Sequence, residues 1–205
     1  MEKRTYTASE STKHALAAAL KALMAQRPLD KITINDITEL CGIRRQNFYY
    51  HFADVYDLLR WTFDEEAMSL LRRHEGALLW QDGLLQLFQY LEENRAVCCC
   101  ALKSVGRATI KRFFEADIYT VIHRTVDQIS ADIGLSENSS VRTDTDLLTH
   151  FYVVALVGVM ESWLLGEIDR TPQELIAFAD RLLQDHVRGA VIRLRGSSAP
   201  PTAAD

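Results

Sequence analysis

The stretch TINDITELCGIRRQNFYYHFADVYDLL, residues 33–59, contains two short helix patterns separated by one glycine. Thr33 is a favourable N-cap residue for the first pattern, whose apolar positions repeat at helical spacing. Gly42 is placed to supply the left-handed residue that ends this helix. A second short helix is predicted over about residues 44–51, with Phe48 on its buried side. Two short helices around a glycine turn predict a helix-turn-helix unit.

The rest of the chain repeats its apolar residues at helical spacing, and no stretch alternates with period two. A first helix precedes the helix-turn-helix and stops before Pro28, because proline disfavours helical geometry in the residue before it. Asp54 can cap a long helix that follows. Further helices are predicted over residues 81–93, 95–104, 107–133 and 147–165 and from Pro172 onward, with a polar break at 134–145. We therefore predict an all-α fold with an N-terminal three-helix helix-turn-helix domain and a C-terminal helical domain.

The predicted domains are residues 1–55 for the helix-turn-helix and 56–195 for the C-terminal helices, followed by a disordered tail at 196–205. Charge is divided unevenly between the two ends of the chain. Residues 1–60 hold nine lysines and arginines against seven acidic residues, whereas residues 61–205 hold 14 against 21. The N-terminal part is the basic one, although a surplus of two charges is only a weak signal for nucleic acid.

Composition favours a cytoplasmic protein without a membrane segment. The start MEKRTYTASE has charges and hydroxyls where a signal peptide has an apolar segment. The longest unbroken apolar run, Phe151–Met160, has ten residues, which is short for a bilayer and typical of a buried helix. The cysteines are Cys41 and the adjacent Cys98, Cys99 and Cys100, and neighbouring cysteines pair only under strain. We therefore expect reduced thiols and a cytoplasmic location.

The first turn of the second short helix carries side chains that match the base edges of DNA. Its residues are Arg44, Arg45, Gln46 and Asn47. An α-helix fits the major groove, where Arg, Gln and Asn have the donors and acceptors that guanine and adenine require. Tyrosine and histidine side chains, which follow at once, can bond phosphate oxygens beside the groove. The alternative is an ordinary solvated turn on a surface helix.

Residues 33–59 resemble the DNA-binding domain of the tetracycline-repressor family, whose pattern runs Thr, Ile-Ala, Ala-Gly-Val, Phe-Tyr-x-His-Phe and Leu-Leu. The matching positions here are Thr33, Ile37, Thr38, Cys41, Gly42, Ile43, Phe48, Tyr49, Tyr50, His51, Phe52, Leu58 and Leu59. The resemblance implies an all-α regulator that contacts double-stranded DNA at the start of the first short helix, at the recognition positions and at phosphate-holding positions. These residues are, in that order, Thr33 and Asn35; Arg44, Arg45, Gln46 and Asn47; and Tyr49 and His51.

The chain departs from the family pattern at several of these positions. The family has small residues near positions 44, 46 and 47, where this chain has Arg44, Gln46 and Asn47. The family also favours lysine near positions 53 and 55, which are occupied by Ala53 and Val55. The resemblance therefore implies an operator different from those of better-known relatives. It also implies the loss of two phosphate contacts, with weaker non-specific binding and a flatter salt dependence.

Residues 151–183, FYVVALVGVMESWLLGEIDRTPQELIAFADRLL, are similar to the C-terminal helices in a branch of this family that includes dihydroxyacetone kinase activators. In the family these helices pair across a two-fold axis, and a helix that is apolar on nearly every side needs cover on every side. The candidate contacts of a homodimer, each of which equally suits a monomer core, are Phe151, Val154, Gly158, Trp163, Phe178, Leu182 and Val187. A dimer places its recognition helices about 34 Å apart, so the operator is expected to be near-palindromic.

Polar side chains on the apolar C-terminal helices are candidates for the effector pocket that this family often holds there. They are His123, His150, Tyr152 and Glu161. The alternative is a set of satisfied polar groups in the core or at an interface. The resemblance implies a regulator controlled by a small-molecule or protein effector, with repression commoner in the family than activation.

Catalysis has no support in the sequence. It contains no GxGxxG, P-loop, HExxH or GxSxG motif, and its six histidines lack metal-ligand spacing. In a helix, successive side chains point about 100° apart, so Cys98, Cys99 and Cys100 cannot all turn to one zinc ion. We interpret them as buried or incidental cysteines, with a thiol sensor as the alternative. We predict no enzyme, no cofactor and no metal. The competing interpretation is a helical protein-interaction module that keeps the helix-turn-helix for packing.

Overall fold

The computed structural model of the protein describes residues 8–73, 80–132 and 139–197, and every regular element in those ranges is helical. The helices are α1 (Ala8–Met24), α2 (Ile34–Cys41), α3 (Arg45–His51), α4 (Val55–Phe63), α5 (Ser69–Arg73), α6 (Trp80–Glu93), α7 (Arg95–Val105), α8 (Arg107–Asp132), α9 (Ser139–Leu164) and α10 (Pro172–Ser197). A 3-10 turn (Leu29–Lys31) lies between α1 and α2, and a π-helical turn (Asp64–Met68) joins α4 to α5. The predicted all-α class is confirmed.

The N-terminal helices pack around one apolar centre. Its fully buried members come from α1, α2, α3 and α4 and are Leu16, Leu20, Ile37, Phe48 and Leu58. Helices of seven or eight residues, such as α2 and α3, are too short to be stable alone in water. Burial of each large apolar side chain stabilises the fold by roughly 1.5–3 kcal/mol, so tertiary packing is what holds these two helices.

The π-helical turn widens the helix that leads from the helix-turn-helix into the C-terminal domain. Arg72 donates from Nη2 to the carbonyl oxygen of Asp64 at 3.0 Å and from Nη1 to its carboxylate at 2.9 Å. The same Nη1 lies 3.3 Å from Asp117 Oδ1 on α8. A side-chain donor on a backbone carbonyl is one of the ways in which an irregular helical turn is held. Arg72 thereby fastens the turn to α8.

A polar junction ties α1 to the C-terminal domain on the other side of the π-helical turn. Lys21 Nζ donates to Glu66 Oε2 at 2.5 Å and to Asn94 Oδ1 at 3.2 Å. Tyr90 on α6 donates its hydroxyl to the same Glu66 oxygen at 2.9 Å. Burial, followed by the neighbouring Glu66 carboxylate, raises the pKa of Tyr90, so the phenol keeps the proton that it donates. The helix-turn-helix is therefore joined to the C-terminal domain by side chains as well as by the chain itself.

The C-terminal core forms where α8 and α9 pack along each other and α6 and α7 close one side. Its buried side chains on α8 and α9 include Ile118, Ile122, Val126, Val153, Leu156 and Met160. α9 begins at Ser139, so the polar break predicted at 134–145 is wrong from residue 139 onward, because polar residues also adopt helical geometry. α10 begins at Pro172 as predicted and continues to Ser197, so the predicted tail at 196–205 is wrong for its first two residues. Residues 198–205 lie outside the described residues.

One stretch of α9 has the length and composition of a membrane span. Within the part of the chain that the structure describes, Asp146–Leu164 is a 19-residue helical segment with a mean hydropathy of 1.5. The ten-residue apolar run Phe151–Met160 is part of this longer segment, which also contains Asp146, His150 and Glu161. A core helix of a helical protein has the same composition, and 39% of the segment is buried against its own chain.

Candidate nucleic-acid interface

Thr33 starts α2 through a capping box with Asp36. Its Oγ1 accepts a bond from the Asp36 amide at 3.2 Å and donates to Asp36 Oδ2 at 2.7 Å, while the Thr33 amide donates to the same oxygen at 2.8 Å. The backbone and hydroxyl bonds of Thr33, together with Arg27 at 3.0 Å, hold the pKa of the Asp36 carboxyl below its usual value. The predicted N-cap is confirmed. Since its only proton is already donated, the Thr33 hydroxyl can approach DNA only as an acceptor in this geometry.

The turn between α2 and α3 follows the Schellman pattern. Gly42 has φ 68°, and its amide donates to the carbonyl oxygen of Glu39 at 3.3 Å. The Ile43 amide donates to the carbonyl oxygen of Thr38 at 2.9 Å. These two bonds satisfy carbonyls that the end of α2 would otherwise leave open. The left-handed glycine predicted from the sequence is confirmed, and it sets the direction in which α3 leaves.

The inner side of α3 anchors the helix on the core. Phe48 is fully buried, and its ring lies 5.9 Å from that of Phe52, which in turn lies 5.6 Å from the ring of Trp61 on α4. Arg44 is the N-cap residue and makes no side-chain capping bond. Its side chain is exposed, as are those of the three residues that follow it. The first turn of α3 is therefore exposed to solvent, while the buried Phe48 holds the helix against the core.

Gln46 and Tyr50 lie on the outermost side of α3, and Tyr50 is not among the DNA contacts predicted from the sequence. Gln46 and Tyr50 each lie two residues from Phe48, which puts both about 160° from it around the helix axis. Tyr50 is 82% exposed, more than any other large hydrophobic side chain among the described residues. The sequence places Tyr50 one helical turn after Gln46, which is a predicted base contact.

Arg45 and Tyr49 form a pair on one flank of this outward face. Arg45 Nη2 donates to the Tyr49 hydroxyl at 3.0 Å, and the guanidinium carbon lies 5.5 Å from the centre of the phenol ring. On the opposite flank is Asn47, whose side chain is exposed. The four predicted recognition residues are therefore all exposed at the start of α3, with Asn35 of α2 also exposed.

His51 and position 55 occupy more enclosed places than the recognition residues. The His51 ring is half-buried and lies 4.9 Å from the Tyr50 ring, edge to face. It borders a cleft of about 550 Å³ between α3, α4 and α8, which Arg60 and Arg112 also line. Val55, one of the two positions where the family favours lysine, is only 9% exposed and belongs to the core. A lysine at this position would therefore not be presented to phosphate in the same way as at Ala53, which is exposed.

The candidate dimer residues divide into an outward set and one core residue. Five are exposed on α9 and α10, namely Phe151, Val154, Gly158, Phe178 and Leu182. Trp163 is instead 4% exposed, packs its ring 5.1 Å from that of Phe88, and donates its indole N–H to the carbonyl oxygen of Arg170 at 2.8 Å. It is a core residue of its own chain, which corrects its assignment to the dimer. The side chain of Val187 lies outside the described residues.

The four candidate effector residues have separate surroundings. His123 lies between two aspartates, with Nδ1 2.9 Å from Asp127 and Nε2 3.3 Å from Asp146. Tyr152 is 2.5 Å from His186 Nδ1 through its hydroxyl, and burial raises its pKa to about 12. The other two candidates are His150, which is exposed, and Glu161, which is half-buried. None of the four is among the residues that line the two described clefts.

The larger described cleft lies elsewhere in the C-terminal domain, beside the loop from α9 to α10. It has a volume of about 680 Å³. Arg95 lies in it with Nη2 3.0 Å from the carbonyl oxygen of Trp163 and its guanidinium 5.5 Å from the indole ring. Glu92 and Asp169 are among the acidic residues of the lining. Its mixed charge selects no single ligand chemistry.

The adjacent cysteines point towards different elements. Cys99 Sγ lies 3.7 Å from the carbonyl oxygen of Leu164 on α9, whereas Cys100 Sγ lies 3.6 Å from that of Arg27 after α1. Cys98 is buried, and burial raises the pKa of its thiol to about 12. Since the thiolate is the reactive form, Cys98 is poorly suited to act as a redox sensor at neutral pH.

An anchored short helix with an outward Arg, Gln and Asn surface, beside a larger helical domain, defines the helix-turn-helix class of transcription regulators. Residues 16–60 match the family model described as bacterial regulatory proteins, tetR family, and residues 79–185 match that of a transcriptional regulator C-terminal region. The chain belongs to the tetR family of bacterial regulatory proteins. This is a family of transcription regulators.

Relatives and a solved structure agree with this assignment. The chain is 36% identical over 84 residues to the HTH-type dhaKLM operon transcriptional activator DhaS of Lactococcus lactis subsp. lactis (strain IL1403), covering 41% of this chain and 45% of that protein. It is 30% identical over 93 residues to the "Probable acrEF/envCD operon repressor" of Escherichia coli (strain K12), covering 44% of this chain and 42% of that protein. It thus matches less than half the length of either relative.

The solved structure of the dihydroxyacetone kinase operon activator DhaS has a similar fold. Its TM-score is 0.70 at 22% identity, covering 86% of this chain and 96% of that one. The family indicated by the sequence is confirmed, and the similarity to DhaS matches the branch that the sequence indicated.

Proposed function

We propose that this chain is a sequence-specific DNA-binding regulator whose α3 reads a near-palindromic operator in the major groove. The observation that carries the proposal is the division of α3 into a fully buried Phe48 and an outward surface that includes Arg45 and Gln46. Arginine and glutamine present the donors and acceptors that guanine and adenine edges require. A helix held firmly from behind can present them at fixed positions.

Fluorescence anisotropy on fragments of the protein's own upstream region tests this proposal, with a scrambled duplex at the same salt concentration. The wild type should bind one fragment selectively, and an Arg45→Ala, Gln46→Ala double variant should lose that preference. Lys103→Ala removes an exposed charge from α7 and serves as the control. Equal, weak binding of the wild type to every duplex would favour the alternative of a protein-interaction module.

The proposed regulator acts as a homodimer through α9 and α10. Leu147, Phe151 and Val154 are 68%, 57% and 40% exposed, and they lie on one side of α9 at helical spacing. Phe178 and Leu182 add 55% and 37% exposed side chains from α10. Exposed apolar residues in such a group are typical of protein–protein contacts. A second copy of the chain would supply the cover that this side of α9 lacks.

Sedimentation velocity tests the dimer with a pair of matched variants. Phe151→Glu places a carboxylate in the proposed contact and should produce monomers. Leu40→Glu changes an equally exposed leucine on α2, 55% exposed, and should leave the association unchanged. A wild-type monomer at micromolar concentration, or a Phe151→Glu dimer of wild-type affinity, would refute the proposed contact.

We propose that the dimer represses transcription from the cytoplasm and that an effector shifts its operator affinity. A bound dimer can block a promoter without any further contact, whereas activation needs an additional surface for the transcription machinery. The DhaS relative is named as an activator, which supports activation as the second candidate. A promoter–reporter assay with and without the gene for this chain separates them, since loss of a repressor raises expression and loss of an activator lowers it.

Control by an effector, either a small molecule or a protein, follows the logic of a population shift. An effector that prefers one arrangement of the C-terminal helices lowers or raises operator affinity by its preference for that arrangement. The junction of Lys21, Glu66 and Tyr90 supports this proposal, because it connects α6 of the C-terminal domain directly to α1 of the helix-turn-helix.

A further inference from the structure

The Arg45–Tyr49 pair suggests a role for Tyr49 that differs from holding a phosphate. We propose that Tyr49 is a positioning residue that aims the Arg45 guanidinium at one base pair of the operator and so sets specificity there. This inference rests on the proposed function. It concerns the hydroxyl, which accepts the 3.0 Å bond from Arg45 Nη2, and the ring face, which lies 5.5 Å from the guanidinium carbon.

Arg45 keeps its charge available in this arrangement. Arg27, Arg60 and Arg72 each lie within 3.0 Å of a carboxylate oxygen. Among the described residues, no carboxylate forms an ion pair with Arg45, and its bonded side-chain partner is a neutral phenol. Of the five N–H donors of a guanidinium, the pair engages one, and a bidentate contact with guanine O6 and N7 needs two. The pair therefore orients the Arg45 side chain and still leaves enough N–H donors for a bidentate contact with guanine.

Orientation before binding has a thermodynamic consequence. An arginine side chain loses up to about 2 kcal/mol of rotamer entropy when it becomes fixed, and a side chain that is already held loses less of it on contact with DNA. Because Tyr49 is one helical turn after Arg45, the restraint is local to α3. The benefit should appear only at the base pair that Arg45 contacts.

A phosphate-holding tyrosine would behave differently. Phosphate contacts are the same on every duplex, so their loss weakens binding to all sequences alike. A positioning tyrosine affects one base pair and has no effect once Arg45 is absent. The two roles therefore separate in a double-variant cycle that measures discrimination between bases rather than affinity alone.

The experiment begins with duplexes that the full-length wild-type protein selects from a random library. Anisotropy then compares the selected duplex with variants carrying one changed base pair at each half-site position, using wild type, Arg45→Ala, Tyr49→Phe and the double variant. Tyr56→Phe removes the hydroxyl of another tyrosine, which lies on α4 and is 48% exposed, and serves as the matched control. Thermal unfolding of each variant verifies that the fold is intact.

We expect Tyr49→Phe to reduce discrimination about fivefold at the base pair whose recognition Arg45→Ala abolishes, as loss of one typical solvent-exposed hydrogen bond would. The same change should leave binding to scrambled duplex within about twofold and add nothing in the Arg45→Ala background. Equal weakening on all duplexes in both backgrounds would assign Tyr49 to phosphate and overturn the inference. Tighter binding by Tyr49→Phe would overturn it too, since the pair would then compete with DNA.

The failure of the inference can be told from that of the proposed function. If the wild type selects no sequence from the library, the reading role of α3 fails, and the inference fails with it. If the wild type selects a sequence and Tyr49→Phe keeps every base preference, only the positioning role of Tyr49 fails.

Discussion

The helix-turn-helix exposes one side of α3 to solvent, and the C-terminal helices expose one side of α9. The two exposed sides differ in polarity. On α3, the exposed residues Gln46 and Tyr50 lie opposite a fully buried Phe48. On α9, the exposed residues include Leu147 and Phe151, which are as apolar as the core behind them. Side chains with paired donors and acceptors can bond the edges of bases. Grouped apolar side chains instead suit contact with another apolar surface. The inward sides hold the fold together, and the outward sides indicate which kind of partner each region suits.

Removal of the inner side of α3 should have the largest effect. Phe48 is fully buried, so Phe48→Ala should lower the free energy of unfolding by about 3–5 kcal/mol and abolish operator binding. Tyr50→Ala changes the most exposed ring of the same helix and should alter unfolding by less than about 0.5 kcal/mol while it weakens binding. Urea denaturation and anisotropy measure both quantities. Equal losses of stability would contradict the division of α3 into a supporting and a reading side.

The dependence of stability on alkaline pH tests the burial of Cys98 in the C-terminal domain, as Phe48→Ala tests burial in the helix-turn-helix. Burial raises the pKa of Cys98 from 9.0 to about 12, so the folded state keeps a proton that the unfolded chain loses first. The stability due to this thiol is fully present below about pH 9 and is lost as the pH rises towards 12. The loss should reach about 2–3 kcal/mol near pH 11. Urea unfolding should show a flatter alkaline decline for Cys98→Ala, and parallel declines would refute the assignment.

Two glycines provide matched substitutions in the two regions. An added Cβ meets no atom within 4 Å at either Gly42 or Gly158, so only backbone preference decides the outcome. Gly42→Ala forces alanine into the left-handed region and should cost about 1–2 kcal/mol. Gly158→Ala lies within α9 and should gain up to about 1 kcal/mol from helix propensity.

Thermal unfolding measures the two glycine variants, and sedimentation velocity measures the association of Gly158→Ala. A stable Gly158→Ala protein that dimerises poorly would show that the partner chain approaches α9 too closely for a methyl group. A stabilised Gly42→Ala protein would contradict the left-handed turn before α3.

Local signals predicted the helix-turn-helix well because they act between neighbours in the chain. Thr33 caps α2 through Asp36, Gly42 ends it, and Asp54 caps α4 by accepting a bond from the Asp57 amide at 2.8 Å. Each of these effects depends on residues within three or four positions. The sequence could therefore specify both short helices, the turn between them and the exposed first turn of α3.

The C-terminal domain was harder to predict because its residues depend on partners far away in the chain. Periodicity marks Phe151 and Trp163 alike as apolar positions of α9, yet only Trp163 meets Phe88 of α6. The partner of the effector candidate Tyr152 was open for the same reason, since His186 lies on another helix. The type of amino acid indicates that a side chain needs a partner. It does not indicate whether another helix, a ligand or a second chain supplies that partner.

The smallest expected effect concerns the lysines that the family favours and this chain lacks. Ala53 is exposed between α3 and α4, whereas Val55 is buried, so only position 53 can present a new ammonium group beside the recognition helix. Ala53→Lys should tighten binding to every duplex by a few-fold, about 1 kcal/mol or less, and steepen the slope of log K against log salt by about 0.9. Phosphates carry no sequence information, so the operator and a scrambled duplex should gain alike.

Val55→Lys is the informative comparison for this prediction. Lysine at this buried position must desolvate its charge or displace the side chain from the core, so the free energy of unfolding should fall. Anisotropy over a salt series and urea denaturation of both variants separate the two positions. A gain for Ala53→Lys on the operator alone would mean that the new lysine reads a base. The outward surface of the helix-turn-helix would then extend beyond α3 to the start of α4.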